Sequence, residues 1–169
     1  MINPQFKEIL KEIISYENKI KEEIILITNG TILFSTDILK LMKTCQKLKV
    51  IVNYYGRLSK YGFENKLLLD NYEIHNILYT EDNRYGWIDC RDHSLKHNSV
   101  KECEKQAQQC AFFLGKKYVI NRGKLFTCTR AAYRIQRNII PYTNSGFVDL
   151  LDNNIEISTQ REKIHAMLN

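Results

Sequence analysis

The chain has 169 residues, 44% of them hydrophobic, and 25 Lys and Arg against 19 Asp and Glu give a formal net charge of +6. That length makes one domain, or one with a small appendage, and two prolines and seven glycines provide no long flexible linker. No apolar run approaches the roughly 18 residues of a membrane span, and the N-terminus lacks the charged-then-apolar layout of a signal peptide; a cytoplasmic chain with no membrane partner is expected.

In chain order, the first half alternates helix and strand. Asn3 and Pro4 suit the cap and first position of a helix, with Phe6, Ile9, Leu10, Ile13 and Ile14 on its apolar face. Ile24-Ile25-Leu26-Ile27 is a continuous apolar run that predicts a strand buried on both faces, closed by the turn Thr28-Asn29-Gly30. A second helix, capped at Ser35 or Thr36, carries Ile38, Leu39, Met42 and Cys45 on one side. A strand over Val50-Ile51-Val52 ends at Asn53-Tyr54-Tyr55-Gly56; a helix from Glu64 to Asn71 and a strand from Ile74 to Tyr79 follow. Such repetition predicts βα units, a parallel sheet and outer helices. Three strands are too few for a closed eight-stranded barrel, so the expected α/β fold is a partial (β/α) barrel over residues 1–85.

From residue 86 to 169 the rhythm changes to a small α+β domain. Gly86 to Cys90 reads as a strand or loop edge, Asp92 to Asn98 as loop, and Val100 to Gln109 as a helix. Tyr118-Val119-Ile120 and Lys124-Leu125-Phe126 predict a hairpin across the turn Asn121-Arg122-Gly123, with positive φ at Gly123. A helix over Thr129 to Arg137, a mostly looped Asn138 to Asn154, and a last helix with a Thr159/Glu162 capping box complete the chain. The hairpin brings Cys110 and Cys128 together, where they face one soft metal or iron–sulfur cluster, or else serve as small buried hydrophobes. Five cysteines, an odd number, fit a disulfide framework badly.

Net positive charge is one mark of a nucleic-acid partner. The charges of Lys19-Ile20-Lys21-Glu22-Glu23 are mixed in sign, however, as on a solvated helix face, and a nucleic-acid partner is not expected.

Several of these segments, in this order, resemble the radical S-adenosylmethionine enzymes that carry a C-terminal auxiliary-cluster domain of SPASM or twitch type. Asn3-Pro4-Gln5-Phe6 resembles the segment after the family's Gly-Gly-Glu-Pro strand. Ile25 to Thr31 resembles the next barrel strand, which ends in Thr-Asn-Gly, and Val50 to Gly56 the one after, with Asn53 where that strand is usually acidic. Trp87-Ile88-Asp89 resembles a Trp-x-Asp segment, and Cys110-x12-Gly123-x4-Cys128 resembles the auxiliary-cluster signature. The resemblance implies that Thr28, Asn29, Gly30, Asn53 and Tyr54 line an S-adenosylmethionine pocket. It implies that Cys103, Cys110 and Cys128 hold an auxiliary [4Fe–4S] cluster, complete or partial, or zinc, with Cys90, His93 or His97 completing the set; Cys45, on the apolar face of its helix, is expected in the core.

The radical-generating C-x3-C-x2-C triad does not occur in the sequence. The chain is therefore expected to be a piece of such an enzyme, truncated at both ends and inactive alone, its partner the missing N-terminal segment or a second copy. Catalytic residues and substrate are not assigned. A stand-alone metal-binding or protein-interaction module, and a basic nucleic-acid-binding α/β protein, are the alternatives.

Overall fold

The structure is a computed structural model that describes residues 3–80, 98–110, 115, 117–140 and 146–168. Two compact units, Met1–Ile88 and Asp89–Asn169, divide the chain. Both are mixed α/β, one built on a parallel and the other on an antiparallel sheet, and neither sheet closes into a barrel.

In the first unit, β1 (Ile24–Thr28), β2 (Leu48–Asn53) and β3 (Asn76–Tyr79) form a parallel sheet in the order β1-β2-β3. Ile24 pairs with Leu48 and Thr28 with Val52 in one ladder, and Val50 with Asn76 and Asn53 with Tyr79 in the next. Parallel neighbours need crossovers, supplied here by α2 (Thr36–Lys43) and α3 (Gly62–Asn71), with α1 (Phe6–Ser15) ahead of them. Right-handed crossovers between strands in sequential order place their helices on one face of the sheet. The core agrees: Leu10 of α1, Ile38, Leu39 and Met42 of α2 and Leu69 of α3 pack with Leu48, Val50 and Val52, the alternate residues of β2. Met42, Val50 and Val52 are wholly buried.

The expectation that Ile24–Ile27 is buried on both faces is corrected. β1 alternates, with Ile25 50% and Ile27 62% exposed. Period-two geometry turns these two away from the helix-covered face, and β1 lies at the sheet edge. The first helix is also narrower and later than expected. It starts at Phe6 after Gln5, because Asn3 accepts the Gln5 N–H in a turn (2.9 Å) and does not cap the helix. Phe6, Leu10 and Ile14, four apart, face the core; Ile9 and Ile13 remain over 40% exposed.

The second unit carries α4 (Val100–Gln108), the hairpin strands β4 (Val119–Asn121) and β5 (Lys124–Phe126), α5 (Thr129–Gln136), β6 (Phe147–Asp149) and α6 (Ile157–Leu168). Pairing of Asn121 with Lys124 leaves a two-residue loop, Arg122-Gly123, with φ of 50° and 73°. Positive φ at both positions is the type I′ hairpin turn, matched to the strand twist. A Cβ on Gly123 would lie 2.3 Å from the Leu151 side chain, which is exposed and would have to turn aside. Phe126, Ala132, Ile135 and Phe147 form the core, the two rings 5.6 Å apart.

β6 replaces part of the loop expected over 138–154 and pairs antiparallel with β5. Three residues are too few to show a strand period. The final helix begins at Ile157, so Thr159 lies inside it and the expected capping box does not form there. A capping box does form at α4, where Ser99 and Glu102 exchange hydrogen bonds. The segment Gly86–Cys90, with Trp87-Ile88-Asp89, lies outside the described residues.

Candidate functional site

The carboxyl ends of β1 and β2 open on a cleft of about 410 Å³ lined by Ile27, Thr28, Asn29, Thr31, Ile32, Asn53 and Tyr55. Parallel α/β sheets bind ligands at this end, where strands stop and backbone and short polar side chains face a common space. Thr28, Asn29 and Asn53, three of the five residues expected in a binding pocket, line it. Gly30 and Tyr54 are adjacent but serve the frame.

The frame is built from buried polar contacts. Asn65 of α3 is wholly buried; its side-chain oxygen accepts the Phe34 N–H (2.8 Å) and its amide donates to the Ile32 carbonyl (2.9 Å), fixing the strand-end loop from both sides. Gly30, at φ 68°, donates its N–H to Thr28 Oγ1 (3.2 Å), and its carbonyl accepts the Tyr61 N–H (2.8 Å). A Cβ there would lie 2.8 Å from the Gly62 Cα, so the two backbones touch. Gly62 in turn leaves room for the Tyr54 ring, which stacks obliquely on Phe63 at 4.6 Å. Buried Ser59 accepts the Tyr55 N–H (2.7 Å) and donates to the Asn53 carbonyl (3.3 Å), holding the end of β2.

Within this frame the polar groups are neutral. Asn29 Oδ1 accepts from the Thr31 N–H and hydroxyl (3.2 and 2.9 Å), whereas the Asn53 side-chain amide has no partner among the described residues. Among the described residues no Asp, Glu, Lys, Arg or His lines the cleft. Amide donors and acceptors beside Ile27, Ile32 and the Tyr55 side chain suit a nucleoside-sized polar ligand with an apolar face. They offer no counter-charge to an ionic one. The described lining is compatible with the adenosine part of S-adenosylmethionine and includes no charged side chain for its amino-acid part.

The cysteines are arranged otherwise. Cys103 lies on α4, a helix with no buried residue, and is exposed; Cys110 follows that helix and is exposed too. Cys128 is half-buried at the start of α5, where its sulfur accepts the Ala131 N–H at 3.3 Å. Among the described residues no three His, Cys, Asp or Glu side chains gather into a group able to hold a metal. The Cys103, Cys110 and Cys128 set does not fit a cluster as placed; Cys90, His93 and His97 lie outside the described residues. Cys45 is buried in the first core, as expected. Burial pushes its thiol pKa up, and the neighbouring Glu17 carboxylate adds to the effect.

Sequence reasoning missed Ser59, Asn65 and Tyr55. Asn65 had a readable signal, a short amide within a helix whose neighbours Leu68 and Leu69 face the core, but its two partners lie over 30 residues away. No family model, curated protein or solved structure matches the chain.

Proposed function

We propose that the first unit is an arc of a (β/α) barrel of the radical S-adenosylmethionine type, and that its strand-end cleft takes the adenosine part of that molecule. The observation that carries this reading is the unpartnered Asn53 amide beside Thr28 and Asn29 in a cleft at the carboxyl ends of parallel strands. The helix-covered face and the exposed Ile25 and Ile27 opposite it support the arc, because a barrel keeps its helices outside and its apolar inner face toward other strands.

When bound to a reduced cluster, S-adenosylmethionine supplies an adenosyl radical. No step of that chemistry is assigned to this chain, which lacks C-x3-C-x2-C and does not gather its described cysteines. Its own residues bind and orient. Asn53 and Asn29 offer amide hydrogen bonds, Ile27 and Ile32 exclude water from one side, and Asn65 with Ser59 keeps the loops in place.

Calorimetric titration with S-adenosylmethionine and with adenosine tests the reading. Both should bind, and Asn53→Ala should weaken each about tenfold, the worth of one or two hydrogen bonds. Binding that is absent at millimolar ligand, or unchanged in Asn53→Ala, refutes it. The chain alone should release no 5′-deoxyadenosine under strong reductant.

A further inference from the structure

The parallel sheet ends on an open edge at β1, and the strand and the helix above it both leave apolar surface bare there. The Ile24 N–H donates to the Lys47 carbonyl (2.9 Å), so Ile24, Leu26 and Thr28 are the residues whose backbone groups turn to β2. The N–H and C=O of Ile25 and Ile27 turn the other way, to the edge, and have no partner among the described residues. Edge strands are commonly guarded by lysine, proline or a bulge. β1 has none of these: it reads Ile-Ile-Leu-Ile-Thr and pairs with β2 without interruption.

α1 reaches past this edge. Its core residues Phe6, Leu10 and Ile14 lie along one line of the helix. Lys7, about 100° to one side of that line, pairs with Asp37 of α2 at 2.9 Å. Ile9 and Ile13 lie about 100° to the other side, away from α2, and remain 43% and 41% exposed. The crossover from β1 to β2 puts α2 above those two strands, so the Ile9 and Ile13 flank hangs over the position next to β1. A strand lying there would have Ile9 and Ile13 over one face. Beside its other face would be Ile25 and Ile27, which are 50% and 62% exposed.

The occupant these features admit is a bare strand. The four isoleucines expose about 350 Å² in all, under half of the ~800 Å² that each partner of a stable dimer buries. A second copy pairing through β1 would also bring its own α1 to the place that α1 already covers. No charged residue occurs from Ile24 to Thr36, so the strip offers no counter-charge to an ionic segment. We propose that the edge of β1 binds an extended, uncharged aliphatic segment of another polypeptide as a further strand, seated under the flank of α1. The backbone of that segment bonds to Ile25 and Ile27, and its side chains meet isoleucine on both faces, as in a strand buried on both sides. The inference does not rest on the ligand of the strand-end cleft.

Fluorescence anisotropy of the whole chain with a labelled peptide of alternating valine and isoleucine between terminal lysines tests this. One control is the same peptide N-methylated at every valine and isoleucine, and the other has alternating threonine and glutamate in their place. The aliphatic peptide should bind about tenfold more tightly than either control, or better. Hydrogen exchange at Ile25 and Ile27 should slow about tenfold when it is bound. Ile25→Pro should weaken binding about tenfold, since proline is tolerated where the N–H faces an open edge but cannot bond to an added strand. Ile9→Gln with Ile13→Gln should weaken it by a similar factor with the melting temperature kept, as both side chains are exposed. No binding at millimolar peptide, equal binding of the N-methylated peptide, or variants without effect at unchanged melting temperature would each overturn the proposal. So would a dimer by light scattering in which Ile25 and Ile27 are already protected before peptide is added.

Discussion

Asn65 is the residue on which the strand-end cleft most depends. Its side chain satisfies two backbone groups of the loop after β1 from a fully buried position. Asn65→Ala should destabilise the protein by about 3 kcal/mol, since each buried group left unpaired costs about 1–3 kcal/mol. Asn65→Asp should be no milder, because a carboxylate cannot donate to the Ile32 carbonyl; urea unfolding of the three proteins checks both. The cysteines divide in the same physical terms. Cys103 and Cys110 are exposed and should be alkylated within the folded protein, whereas Cys45 is buried with its thiol held protonated. Timed iodoacetamide labelling read by peptide mass should show Cys45 modified only on unfolding. Early modification of Cys45 would place it outside the core. At this scale the sequence was readable for conformation and poorly for contact. Gly123 was marked by its turn chemistry, but Asn65 and Ser59 act on partners that local pattern does not name.

At the scale of elements, β2 was legible from its apolar run Val50 to Val52 and α2 from Ile38, Leu39 and Met42 recurring on one face. β1 misled because an unbroken apolar run is the same whether one face or two are covered. β6 was invisible because its pairing with β5, rather than any period of its own, makes it a strand. That pairing includes an ion pair, Lys124 to Asp149 at 2.8 Å, with the Lys124 ammonium also 4.6 Å from the Phe147 ring centre. The Lys124 hydrogen bond, then the Leu151 N–H, holds the Asp149 carboxyl below the usual carboxylate range. Its folded pKa is depressed, so its contribution to stability is present above the unfolded value near 3.9 and is lost as pH falls through the folded one. Thermal unfolding should show Asp149→Asn lowering the melting temperature at neutral pH, with the difference from the parent closing below about pH 4. A constant difference down to acid pH would mean that the pair contributes nothing through charge.

For the whole molecule, the two units differ in build: one carries an amide-lined cleft on a parallel sheet, the other a helix packed beside an antiparallel hairpin. The division into an early parallel part and a later hairpin part follows from hydrophobic period and turn residues. The cleft's polar frame depends on contacts of buried Asn65 and Ser59 that only the packing shows. Among the described helices none is long and apolar enough to cross a membrane. The most direct test of the strand-end site is a two-dimensional ¹H–¹⁵N spectrum titrated with S-adenosylmethionine. Amide shifts should concentrate at Ile27 to Ile32 and Asn53 to Tyr55, with those of Val119 to Gln136 unmoved. An unchanged spectrum at millimolar ligand, or shifts confined to the second unit, would contradict it.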